Sequence, residues 1–262
     1  MLPDVLIGQS SKSYFTHAQA LEWAEVVGRE LSARYPDWDQ PATGTFLCVP
    51  YPLLPLMVDR LGPLGTTLGT QDLSQFGPGA YTGEVSAELL AEMGSKLTML
   101  GHPERVKLLG ETEAVVGVKA ARAAANGITP ILVAGENDPT QDPREVMTAQ
   151  FEHRLRDVPL DAEVMIAYEP TWAIGQPEPA PAEHVVGVVA ALRELLADRP
   201  NVRLVYGGSA GRGTFKAIAD AAREVGNEAG IPDGVFLGRF GLDPLAFLDV
   251  VDEVRTALAD RL

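Results

Sequence analysis

Cysteine is nearly missing from this chain. Cys48 is the single one in 262 residues, so no internal disulfide can form, which fits a reducing compartment such as the cytoplasm. It lies in the apolar run Thr45-Phe46-Leu47-Cys48-Val49, where its expected role is core packing. Histidine is scarce too. His17, His102, His153 and His184 are the whole set, none sits in a ligand-spaced cluster, and no metal site is expected. No run of 18 apolar residues occurs, and no basic segment leads into an apolar one at the start of the sequence. Neither a membrane span nor a signal peptide is therefore expected. Positive charge is short as well: 21 Lys and Arg face 36 Asp and Glu, a net charge of −15. That balance argues against a nucleic-acid binder and against a peripheral membrane protein, both of which need a basic face. An anionic small molecule stays open, provided that a few local groups supply the positive charge.

What is present is an ordinary globular mixture, 46% hydrophobic and 22% charged, enough to bury a sizeable core. Apolar strand-like runs fall at residues 5–7, 45–49, 66–68, 96–100, 129–133, 164–168, 202–206 and 235–237. Between them lie helical patterns. Thr16 can cap the first, which carries Leu21, Ala24, Val27 and Leu31 at helical spacing; Pro52 opens the second; the last carries Phe247, Val250, Val254 and Leu258. Further helices are expected at about residues 84–93, 111–126, 182–196 and 214–225, and around Met147, Phe151 and Leu155. Eight strands alternating with eight helices imply parallel strands with covering helices, and eight such units in about 250 residues is the size of a (β/α)8 barrel. The expected fold is an α/β barrel, one domain over residues 1–262. A doubly wound sheet is the alternative, but Gly8-Gln9-Ser10-Ser11-Lys12 lacks the glycine spacing of its usual fingerprint.

In such barrels chemistry sits at the C-terminal strand ends. The polar residues there are Lys12 after the first strand, His102 after the fourth, Glu169 after the sixth, Ser209 after the seventh and Gly238 after the eighth. Singly each has a plain reading: a solvated lysine, a helix-capping histidine, a paired glutamate, a turn. Together they make a base, an electrophile, a point positive charge and two Gly-containing loops able to hold phosphate through backbone N–H groups. Glu169 stands at the front of Glu169-Pro170-Thr171-Trp172-Ala173-Ile174-Gly175, a loop able to bend at its ends and close over a base that must be kept dry.

Several motifs carry a family resemblance: Tyr81-Thr82-Gly83-Glu84, Gly101-His102-Pro103-Glu104-Arg105, Leu109-Gly110-Glu111, Val133-Ala134-Gly135-Glu136, the stretch from Ala167 to Gly175, and Tyr206-Gly207-Gly208-Ser209. In this order, on these strand ends, they closely resemble the triosephosphate isomerase family along nearly the whole chain. The resemblance implies a cofactor-free aldose–ketose isomerase of a small phosphorylated sugar. Glu169 would move a proton between adjacent carbons through an enediolate, neutral His102 would polarise the carbonyl, and Lys12 would supply positive charge. The backbone N–H groups of Gly175, Ser209 and Gly238 would hold the phosphate, with Pro170, Thr171, Trp172, Ala173 and Ile174 forming the lid. Glu104 would orient its neighbours. The loop over residues 75–83 would reach a partner subunit, so that Thr82 completes the neighbour's site in a homodimer.

Departures from the family fall inside this site. Where the family reads Asn-Trp-Lys-Met-Asn, this chain has Ser10-Ser11-Lys12-Ser13-Tyr14. Pro103 replaces a serine, Gly238-Arg239 replaces Gly-Gly, and the far hinge of the lid reads Gln176-Pro177. Arg239 is a candidate phosphate ligand and Tyr14 a candidate substrate contact. The triose pair dihydroxyacetone phosphate and glyceraldehyde 3-phosphate is the favoured substrate, a four-carbon ketose phosphate the runner-up. A barrel that binds sugar phosphate without turning it over is the reading from another class.

Overall fold

The structure is a computed structural model that describes residues 2–35, 44–174, 176 and 179–261. Eight parallel strands close into a barrel in chain order: β1 (Leu6–Ser10), β2 (Thr45–Val49), β3 (Thr67–Thr70), β4 (Leu97–Leu100), β5 (Thr129–Ala134), β6 (Val164–Tyr168), β7 (Val202–Tyr206) and β8 (Gly234–Leu237). The last strand pairs with the first, Ile7 opposite Val235 and Gln9 opposite Leu237, so no edge is left open.

Alternation along the strands separates two cores. Leu6, Phe46, Cys48, Met99, Ile131, Ala167 and Phe236 face the barrel interior, where the Phe46 and Phe236 rings lie 5.1 Å apart. Cys48 is buried there and burial pushes its thiol pKa up, as suits a packing residue. The other face of the strands packs on the helices α1 (His17–Arg34), α2 (Leu54–Leu61), α3 (Ala87–Glu92), α4 (Pro103–Leu109), α5 (Glu113–Ala125), α6 (Pro143–Arg154), α7 (Ala182–Leu195), α8 (Thr214–Glu224) and α9 (Pro244–Ala257).

Three differences from the sequence reading have local causes. Nine α-helices, not eight, occur among the described residues. The additional one is α4, a short helix between β4 and α5, capped by His102 and closed by Gly110 in the left-handed region at φ 68°. The first strand runs on through Gly8, Gln9 and Ser10, since their backbones pair with β2 on one side and Gly8 and Gln9 also with β8 on the other. The helix expected from residue 84 starts only at Ala87, where the Ser86 hydroxyl accepts the Leu89 N–H and fixes the boundary. Pro52 sits in a 3-10 turn, Tyr51–Leu53, that precedes α2.

Gly8 is required where it stands. A Cβ there would come within 2.0 Å of the Phe46 ring, which fills the barrel beside it. Gly8→Ala is expected to destabilise the fold by about 1–3 kcal/mol through overpacking, and Phe46→Leu to recover part of that loss in the double variant. Urea unfolding of the four proteins measures both; a neutral single variant would contradict the packing described.

Candidate active site

The C-terminal ends of β1, β4, β6, β7 and β8 open onto a cleft of about 160 Å³. Its lining includes Lys12, His102, Glu169, Ser209, Gly238 and Arg239, so closure of the barrel gathers in one place residues up to 227 positions apart.

His102 caps α4: its Nδ1 accepts the Glu104 N–H at 3.1 Å, and Pro103 occupies the first helical position, where no N–H is needed. With Nδ1 accepting, the neutral ring carries its proton on Nε2. That nitrogen lies 3.1 Å from Lys12 Nζ and 3.7 Å from Glu169 Oε2. Burial and the Lys12 charge pull the His102 pKa down to about 4, against the opposing pull of Glu104. Two hydrogen-bond donors, Nε2–H and the ammonium, thus converge on a space that suits an oxygen acceptor.

Lys12 also donates to Glu104 Oε1 at 2.6 Å. Burial raises the Glu104 pKa, but the Lys12 hydrogen bond and the neighbouring charges outweigh it, and the net direction is down. Lys12 holds φ at 45° and Ser209 at 56°; these are the two non-glycine residues in the left-handed region among those described, and both line the cleft. Strain of this kind persists only where the surroundings enforce it.

α4 is anchored from behind. Buried Lys119 binds Asp72 at 2.7 Å and Glu111 at 2.5 Å, and Arg105 of α4 reaches Asp72 at 2.7 Å. The network ties α4 to α5 and to the loop after β3.

Glu169 sits one residue beyond β6, and Gly207 clears its place: a Cβ there would fall 2.5 Å from Glu169 Oε1. Among the described residues no hydrogen bond reaches the carboxylate, and the neutral His102 ring lies 3.7 Å from it. Burial pushes its pKa up to about 8, with Lys12 opposing and Glu104 adding to the rise. A carboxylate whose charged form is disfavoured by burial is a strong base.

The lid is held down from two sides. Its 3-10 turn, Thr171–Ala173, follows Pro170. Ser209 Oγ donates to the Ala173 carbonyl at 2.9 Å, the Ala180 N–H donates to Tyr206 Oη at 3.1 Å, and Arg239 Nη2 donates to the Gln176 carbonyl at 3.3 Å. On the other side Trp172 Nε1 donates to Glu136 at 2.8 Å, and buried Glu136 also meets Tyr168 and His184, each at 3.0 Å. Ile174 faces the cleft. Gly175 and Pro177, both singled out from the sequence, lie outside the described residues.

Not every candidate converges. Tyr14 stands at the rim of the cleft, 57% exposed. Thr82 lies exposed on the loop over residues 75–83 and does not line the cleft of its own chain. Conversely, Ser10, Tyr206, Glu136 and His184 belong to the site or its lid and were not assigned roles from the sequence. Glu136 carried a signal in Val133-Ala134-Gly135-Glu136, at the end of a strand; His184 carried none. Among the described residues no group of three or more His, Cys, Asp or Glu is placed to hold a metal ion.

A profile of the triosephosphate isomerase family matches residues 5–254. The chain belongs to the triosephosphate isomerase family. Within it, the chain is 37% identical to an L-erythrulose-1-phosphate isomerase of Pectobacterium atrosepticum over 258 residues, 95% of each chain. It is 31% identical to a triosephosphate isomerase of Synechococcus sp. over 251 residues, covering 95% of this chain and 96% of that one. A triosephosphate isomerase of Deinococcus radiodurans is 37% identical over 213 residues, 78% of this chain and 83% of the relative. The protein is an isomerase of this family.

The two perturbed groups make opposite demands on stability. Between about pH 4.5 and 8 the folded protein keeps a proton on Glu169 that the unfolded chain has released, so stability falls as pH rises through that window. For His102 the unfolded chain takes up a proton below 6.5 that the folded protein refuses until about 4, so stability falls as pH drops through that window. Glu169→Gln is therefore expected to raise Tm, by an increment that grows from about pH 5 to about pH 9. Calorimetry across that range tests it, and an increment that stays flat would mean that Glu169 is not held proton-rich.

Proposed function

We propose that the protein moves a proton between adjacent carbons of a ketose phosphate through an enediolate, with Glu169 as the base, and that the substrate carries four carbons. The observation that supports the chemistry is the buried Glu169 carboxylate, without a hydrogen bond from the described residues, facing His102 Nε2 and Lys12 Nζ across the cleft. A substrate carbonyl oxygen in the donor space would take hydrogen bonds from both, and the charge that develops on it would meet a fixed cation and a neutral imidazole in a water-poor cleft. His102 acts as the neutral ring, since its pKa lies far below neutrality. Glu169 takes the proton from the carbon on one side of the carbonyl and returns it to the former carbonyl carbon, while the proton of the neighbouring hydroxyl passes to the former carbonyl oxygen by way of His102 Nε2. No cofactor enters this reading.

The phosphate belongs toward Ser209, Gly238 and Arg239, with Gly175 of the lid completing its amide donors. Arg239 brings a guanidinium where the family has glycine, and its contact with the Gln176 carbonyl joins phosphate recognition to lid closure. Tyr14 would contact substrate or solvent at the rim.

Favouring four carbons are the changes at positions 10, 14 and 239, which surround an intact base, electrophile and lysine, and the similarity to the Pectobacterium isomerase over 95% of both chains. A four-carbon substrate of that kind, erythrulose 1-phosphate, is the triose ketose phosphate with a hydroxymethyl group added on the carbon far from the phosphate. The same proton transfer then yields a second ketose phosphate instead of an aldose. The triose pair is the second reading, favoured by the relatives named triosephosphate isomerase and by the unchanged catalytic set.

A homodimer is part of the proposal. The loop over residues 75–83 is exposed along residues 78–83, its Phe76 and Tyr81 rings stack at 4.2 Å, and Leu108 and Leu109 of α4 are 74% and 66% exposed. Pairing of that loop with α4 of a partner would cover them.

The direct test is kcat/KM of the purified protein on erythrulose 1-phosphate and on dihydroxyacetone phosphate, side by side. A faster four-carbon reaction supports the reading, a faster three-carbon reaction favours the second, and turnover of neither would leave a binding barrel. Glu169→Gln is expected to lower kcat by about 10³-fold or more on the true substrate. Arg239→Gly is expected to raise KM about tenfold, the worth of one charge-assisted hydrogen bond, with a smaller effect on kcat.

A further inference from the structure

A four-carbon substrate needs a place for its added hydroxymethyl group. With the phosphate at the Ser209–Gly238 end and the reacting carbons between Glu169 and the His102–Lys12 pair, the group is directed onto the floor of the cleft. Ser10, Met99 and Phe236 form that floor, as the inward side chains near the C-terminal ends of β1, β4 and β8. Met99 and Phe236 are apolar, so Ser10 alone of the three can answer a hydroxyl.

Ser10 is built for that task. It is 4% exposed yet lines the cleft. Its Oγ accepts the Lys12 N–H at 3.4 Å, and among the described residues its own proton has no acceptor. A buried hydroxyl with an unspent proton facing a cavity is an incomplete hydrogen-bond pair. The family's residue at this position is asparagine, whose side chain exceeds that of serine by one carbon and one heteroatom. A hydroxymethyl group adds one carbon and one oxygen to the substrate. The exchange of asparagine for Ser10 removes from the wall what the larger substrate brings in. Met99, which lines the same cleft, is an unbranched side chain able to adjust its shape.

We infer that Ser10 is the specificity-determining residue that admits the hydroxymethyl group of a four-carbon ketose phosphate and binds its hydroxyl. This inference rests on the four-carbon reading above. It assigns Ser10 no part in proton transfer: the residue selects by space and by one hydrogen bond, while Glu169, His102 and Lys12 act on the carbons above it.

The test compares wild type, Ser10→Asn and Ser10→Ala by two readouts. One is kcat/KM on erythrulose 1-phosphate. The other is the inhibition constant of 2-phosphoglycolate, a phosphorylated acid that lacks the hydroxymethyl group. Ser10→Asn fills the space and is expected to lower kcat/KM by about 30-fold or more, while 2-phosphoglycolate binds within about threefold of wild type. Ser10→Ala keeps the space and loses the hydroxyl, with an expected loss of about five- to tenfold, again without a matching change in the inhibitor. Parallel loss on both readouts in Ser10→Ala would assign the residue a structural role and overturn the inference. Unchanged kcat/KM in Ser10→Asn would overturn it too, while the four-carbon reading stands. A wild type that does not turn over erythrulose 1-phosphate would overturn both.

Discussion

The site depends on one dry carboxylate. Glu169 is buried at the mouth of the barrel with no hydrogen-bond donor among the described residues to satisfy it, and its raised pKa is the thermodynamic mark of that neglect. Burial disfavours the charge there, so the carboxylate, once ionised, is relieved by taking a proton from a substrate carbon. Gly207 gives up a side chain so that the carboxylate fits, and Ile174 of the lid lines the cleft with it. His102 is held neutral beside it, so it offers a hydrogen bond without donating a full charge that would quench the base.

A second constraint is the shortage of positive charge. In a chain of net charge −15, an anionic substrate must be held by very few groups. Lys12 is fixed by strained backbone and by Glu104, and Arg239 lines the same cleft and touches the lid. These two cations of the lining are the charges available to a small phosphorylated ketose. The backbone N–H groups of the loops after β7 and β8 supply the rest without adding charge.

Much of the fold was legible in the sequence, because strand runs in a closed parallel barrel are apolar on both faces. Thr45–Val49, Val164–Tyr168 and Val202–Tyr206 lie where their apolar runs place them. The first strand reads short because it ends in Gly8, which must clear the Phe46 ring, the polar Gln9, and Ser10, which lines the cleft. The convergence of Lys12, His102 and Glu169 followed from their positions at strand ends. What could not be read was anything fixed by tertiary placement: the left-handed backbone of Lys12, the meeting of Trp172, Tyr168 and His184 on Glu136, and the exposed position of Tyr14. Ser10 was visible only as a departure from a family pattern. Its meaning came from the cavity above it and from a proton that has no acceptor among the described residues.

The central claim is that Glu169 carries a proton between two carbons of the substrate. Its most direct measurement is turnover of the preferred ketose phosphate in deuterium oxide, followed by proton and carbon NMR. The proton-transfer account predicts deuterium at the former carbonyl carbon of the product, at most one atom per turnover, with incorporation lost in Glu169→Gln. Deuterium enters to the extent that the Glu169 carboxyl exchanges with solvent before it returns the proton; product that forms, or that gains deuterium, as fast in Glu169→Gln as in wild type would contradict the claim.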